Sequence, residues 1–101
     1  MSPRRDCRKD DNHDVIAEAF RVRGWRWIDT YQHAQMTPGF PDGLAVRGRR
    51  TVWVEVKTAR GQLTPAERKF RDYELAGEGE YEIVRTLEDV ERITQRGWEG
   101  R

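Results

Sequence analysis

At 101 residues the chain has room for one domain with a single hydrophobic core, and no second domain is available. Its 36% hydrophobic and 37% charged content predicts a thin core beneath a densely ionic surface, while 10% aromatic residues, including four Trp, argue against disorder. Nineteen basic and eighteen acidic residues cancel to +1, which excludes a strong field of one sign and leaves any binding surface to local arrangement.

That arrangement is uneven. Basic residues gather at Arg4, Arg5, Arg8 and Lys9, at Arg47, Arg49 and Arg50, and at Arg68, Lys69 and Arg71, while the last third is acidic. Cys7 is the only cysteine, so an intramolecular disulfide is excluded. No apolar stretch is long enough for a signal peptide or a membrane span, which predicts a cytoplasmic home. Two histidines and one terminal cysteine give no recognisable zinc-ligand spacing.

In chain order, the first eleven residues read as a flexible basic arm ahead of one domain over 12–96, with a short tail at 97–101. Val15, Ile16, Ala19, Phe20 and Val22 recur at helical spacing, Asp11 or Asn12 can cap, and Gly24 stops the run, so a helix is predicted over 13–23. Residues 25–29 alternate as a half-buried strand, and the polar stretch to Phe40, with Pro38-Gly39, reads as a loop. Strands are predicted at 42–46 and 51–57, joined as an antiparallel hairpin through Arg47-Gly48-Arg49-Arg50. Thr64-Pro65-Ala66-Glu67 is a helix start with a cap, a proline at the first position and a capping-box glutamate, opening a helix to about Leu75. After the break at 77–79, a strand over 81–84 leads to Thr86 and a last helix over 87–95. The order αβββαβα predicts a layered α/β domain, a short mixed sheet of about four strands flanked by helices.

Asp42 opens one strand of the hairpin, and Glu55 and Lys57 stand two apart on its partner, so the latter two share a face. Carboxylates held together at a sheet edge repel unless a cation lies between them, and hard oxygen donors select Mg²⁺ or Mn²⁺. The same alternation also suits a solvated stripe on an amphipathic strand, and spacing alone does not choose between the two.

Gly39-Phe40-Pro41-Asp42-Gly43-Leu44, twelve intervening residues up to Glu55-Val56-Lys57, then Gly61-Gln62-Leu63-Thr64-Pro65 and Phe70, resemble the PD-(D/E)XK nuclease superfamily. Within it the chain is similar to small phage and bacterial VRR-NUC proteins, relatives of Holliday junction resolvases, over about residues 5–93. The resemblance implies a restriction-endonuclease-like fold, DNA as partner, a homodimer, and a bacterial or phage-infected cell as setting. It implies Asp42, Glu55 and the main-chain carbonyl of Val56 as ligands of Mg²⁺ or Mn²⁺, and Lys57 as the catalytic lysine. Many relatives carry Glu where His13 stands, and Gln where Glu67 stands. His13 falls on the inward face with Ile16, Ala17 and Phe20, which admits a metal ligand, a water positioner or a plain core histidine. Gln62 and Glu67 are accessory candidates, although Glu67 is also accounted for by the capping box. Arg4, Arg5, Arg8, Lys9, Arg47, Arg49, Arg50 and Arg60 are the candidate phosphate contacts.

Two other functions fit the same residues. One is a nucleic-acid-binding module with vestigial carboxylates, against which the intact Asp42, Glu55 and Lys57 set argues. The other is a subunit of a larger nucleic-acid-processing assembly that meets its partner through the acidic last third.

Overall fold

The computed structural model describes residues 4–96, with side chains described over 12–95. It is an α/β protein built on a four-stranded mixed sheet flanked by helices. The elements are α1 (Arg4–Val22), β1 (Arg26–Asp29), α2 (Tyr31–Met36), β2 (Gly43–Arg47), β3 (Arg50–Val56), α3 (Pro65–Lys69), β4 (Glu80–Val84) and α4 (Leu87–Arg96). The strands lie in the order β1-β2-β3-β4; the first two pairings are antiparallel and the third is parallel. A parallel partner cannot be reached by a hairpin, so the chain crosses over between Val56 and Glu80 and carries α3 with it.

Strand alternation divides the sheet into two faces. Val52, Val54, Ala45 and Val84 meet Ile16, Ala19 and Phe20 of α1 and Val90 and Ile93 of α4, forming the core. On the opposite face Trp53 packs edge-on against Phe40 and Phe70, and Phe70 also meets Tyr81. Phe70 comes from a π-helical turn, Phe70–Glu74, that continues α3 and closes with the Leu75 amide on the Phe70 carbonyl at 2.8 Å. The capping box is present: Thr64 accepts from the Glu67 amide, and the Glu67 carboxylate accepts from the Thr64 amide.

Three local differences from the sequence expectation have physical causes. The helix α1 begins at Arg4, not near residue 13, because lengthening a nucleated helix adds a hydrogen bond per residue and Arg and Lys are good helix formers. The stretch read as a loop contains α2, whose six residues bury nothing and so carry no apolar period; the Asp29 carboxylate accepts from the Tyr31 amide at its start. The third is the π-helical turn in place of a plain helix end, for which spacing carries no signal. The tail at 97–101 lies outside the described residues. Among the described residues no helix is long and apolar enough to cross a membrane.

Candidate active site

Asp42 is fixed from several sides. Its amide donates to the Val54 carbonyl at 3.0 Å and its own carbonyl accepts from the Thr30 amide at 3.0 Å, while the Thr30 hydroxyl donates to Pro41 at 2.7 Å. The glycines flanking Phe40-Pro41-Asp42 are sterically required. A Cβ on Gly43 would stand 2.1 Å from Trp27, and one on Gly39, where φ is +91°, would stand 2.3 Å from the Ala66 carbonyl oxygen. The Asp42 Oδ2 then reaches across the hairpin to accept from the Val56 amide at 2.9 Å.

Glu55 and Lys57 follow on β3 and the residue beyond it. Glu55 is only 3% exposed, and its Oε1 has no hydrogen-bond partner among the described residues. The Lys57 amide donates to the Val84 carbonyl, which anchors it to β4, and its carbonyl accepts from the Asn12 side chain at 3.4 Å. Its ammonium lies 3.7 Å from Glu55 and 2.8 Å from Glu67. Thus the crossover helix delivers Glu67 to the lysine. Tyr31, Thr58, His13 and Asn12 join Asp42, Glu55, Val56 and Lys57 around one cavity of about 270 Å³.

Electrostatics in this cavity oppose two ionised carboxylates side by side. Burial raises the Asp42 pKa, and the Val56 amide and nearby His13 offset that only in part. Burial again leads in raising Glu55, with the charges of Asp42 and Glu67 adding to it and Lys57 opposing. Burial also works against ionisation of Glu67, but Lys57 and the Thr64 amide outweigh it and hold that carboxyl below its ordinary value. The Tyr81 hydroxyl is buried without a hydrogen-bond partner among the described residues, and burial followed by Glu55 and Glu67 pushes its pKa up.

The donors present fit Mg²⁺ or Mn²⁺. Asp42, Glu55 and the Val56 carbonyl are hard oxygen donors, and such ions keep several waters while using one or two protein carboxylates. Glu55 Oε1 is buried and has no hydrogen-bond partner among the described residues, which leaves one hard oxygen of the pair uncommitted. Among the described residues no three His, Cys, Asp or Glu side chains converge as a ready-made ligand cluster, so the side-chain donors are a carboxylate pair. His13 lines the same cavity, 3% exposed, with both ring nitrogens unpartnered among the described residues and its ring edge-on to Trp27 and Tyr31.

The candidate phosphate contacts separate into two groups. Asn12 and His13, near the middle of α1, line the cavity, and the helical turns bearing Arg4, Arg5, Arg8 and Lys9 precede them; their side chains lie outside the described residues. Arg60 is exposed in the turn just after Lys57. Arg47, Arg49 and Arg50 stand at the other end of the hairpin, about 16 Å away at ~3.3 Å per strand residue. Arg50 in particular is used internally. It donates from Nε and Nη2 to both Glu80 oxygens and from Nη1 to the Ile93 carbonyl at 2.9 Å, and its guanidinium lies over the Trp25 ring. The charge run in the sequence could not reveal this, because its partners lie on β4 and α4. Gln62 is exposed and lines no part of the cavity.

Sequence reasoning passed over Tyr81, Thr58 and Arg85, which reach the site region through strand pairing and loop packing. For Tyr81 a signal existed: on β4 it pairs in register with Trp53, which shares a face with Glu55. Comparison of the chain with models of protein families, with curated proteins and with solved structures finds no match.

Proposed function

We propose that this chain is a divalent-metal-dependent nuclease of the PD-(D/E)XK type that hydrolyses phosphodiester bonds in DNA. The observation that carries this reading is the pair of carboxyls, half-buried Asp42 and buried Glu55, on one cavity with Lys57, one Glu55 oxygen lacking a hydrogen-bond partner among the described residues. Asp42, Glu55 and the Val56 carbonyl would hold Mg²⁺ or Mn²⁺, which when bound polarises a phosphoryl oxygen and makes water a better nucleophile. Lys57 supplies a fixed positive charge beside the phosphate, where negative charge grows as the bond breaks. Glu67 keeps that ammonium in one place, and Asn12 fixes the main chain beneath it. His13 offers two ring nitrogens to a water in the cavity, able to accept a proton at one and donate from the other.

The test is cleavage of labelled junction, flap, single-stranded and duplex DNA in Mg²⁺, Mn²⁺ or EDTA. Cleavage in metal and none in EDTA is expected, and Asp42→Ala, Glu55→Ala and Lys57→Ala should each abolish it while circular dichroism reports an intact fold. Full activity in a folded Glu55→Ala protein would sink the assignment.

A further inference from the structure

The loop after Lys57 is braced in an unusual way. Arg85, on leaving β4, directs Nη1 to the carbonyls of Gly61 at 2.6 Å, Thr58 at 2.8 Å and Ala59 at 3.5 Å. Arg85 is itself anchored, since its amide donates to Asp89 at 2.7 Å. The turn is closed by the Gly61 amide on the Thr58 carbonyl at 3.2 Å, and a Cβ on Gly61 would meet the Thr58 hydroxyl at 3.2 Å. The Thr58, Ala59 and Gly61 carbonyls are therefore occupied, whereas the Ala59 and Arg60 amides have no acceptor among the described residues. Arg60 is exposed and has no ion pair among the described residues, unlike Arg21, Arg50, Arg71 and Arg92. Thr58 lines the same cavity as Asp42 and Glu55.

We infer that the Thr58–Gly61 turn is a subsite for a backbone phosphate of the nucleic-acid strand, gripped by the Ala59 and Arg60 amides and the Arg60 guanidinium and held in shape by Arg85. A guanidinium with adjacent amides matches the charge and acceptors of a phosphodiester. Arg85 touches no substrate; it is a positioning residue that keeps the turn from rearranging when the anion binds. The subsite rests on the nuclease reading only for its place beside the scissile bond, and its binding requires no metal.

The test is fluorescence anisotropy of the full chain with a labelled DNA duplex in EDTA across a salt series, with amide NMR of the same titration. Arg60→Ala should weaken affinity by about five- to ten-fold and lower the log-log salt slope by about 0.9, one phosphate contact on duplex DNA. Arg85→Lys keeps the charge on a shorter side chain, which withdraws the donor nitrogen from the three carbonyls that Nη1 meets, and should lose a similar factor. The Ala59 and Arg60 amide resonances should move on titration. Unchanged affinity and slope in Arg60→Ala overturns the subsite, as do unmoved amides, and an Arg85→Lys protein that loses only thermal stability removes Arg85 from it. Because no metal is present, binding that depends on Arg60 in a protein that never cleaves would refute the nuclease and keep the subsite. Cleavage with Arg60-independent binding would do the reverse.

Discussion

The Lys57 ammonium lies nearer to Glu67, at 2.8 Å, than to Glu55, at 3.7 Å, although Glu55 is its neighbour on the strand. Glu67 thus serves two partners, the Thr64 amide and the lysine, so helix capping and the site share one carboxylate. Thr64→Ala removes only the cap and should cost about 1 kcal/mol of stability. Glu67→Ala should cost a comparable amount and also release Lys57, with a cleavage rate at least about ten-fold lower. Urea unfolding and cleavage below both midpoints separate the effects; equal rates in the two variants would deny Glu67 any role beyond the cap.

The site carboxyls make a pH-dependent contribution to stability. Asp42 and Glu55 have raised pKa values, so over the range above their ordinary values the folded protein binds more protons than the unfolded chain. Stability of the metal-free protein therefore falls as pH rises from about 4.5 through neutrality. Glu67 and Asp89 are shifted the other way, and their contribution is lost only as pH falls below that point. Glu55→Gln removes part of the first effect. In EDTA at pH 8 its thermal midpoint should exceed the parent's, and the gap should narrow towards pH 5. A parent midpoint that rises from pH 5 to 9 would contradict this account.

His13 is buried with neither ring nitrogen hydrogen-bonded among the described residues, a costly arrangement for a residue kept only to pack. His13→Leu should therefore leave stability unchanged or raise it. If the imidazole positions water or metal, the same variant should lose cleavage activity, most at limiting Mn²⁺. A variant with parental metal dependence at every concentration would make His13 a packing residue alone.

Arg50→Gln should cost about 1 to 2 kcal/mol, because it strips the paired bonds to Glu80 and the cap on the Ile93 carbonyl at a half-exposed position. Its duplex affinity and salt slope should match the parent's. A fall in slope of about 0.9 would instead make it a phosphate contact.

The element order was legible because its punctuation is chemical: Thr64-Pro65-Ala66-Glu67 specifies a helix start by hydrogen bonding, and Gly48 sits in a hairpin whose flanks pair in register. The same strand period placed Glu55 and Lys57 on one face. What stayed hidden has a common cause. Arg50 with Glu80, Lys57 with Glu67 and Arg85 with the Thr58–Gly61 turn join groups on different elements, and no spacing rule encodes a long side chain's reach after the chain has crossed over.

The parallel pairing of β4 with β3 also bears on timing. Residues 26–56 form a meander of near-neighbour pairings, whereas β4 can dock only after the crossover loop has closed, a step with a larger entropic barrier. Asp42 and Glu55 are thus brought together early, while the Val84 anchor on Lys57 and the Arg85 brace arrive last. Pulse-labelled hydrogen exchange should find amides of β2 and the first half of β3 protected before the Lys57 amide. A chain still being synthesised would then carry its carboxylates without the lysine in position, and competence would be conferred by its final third.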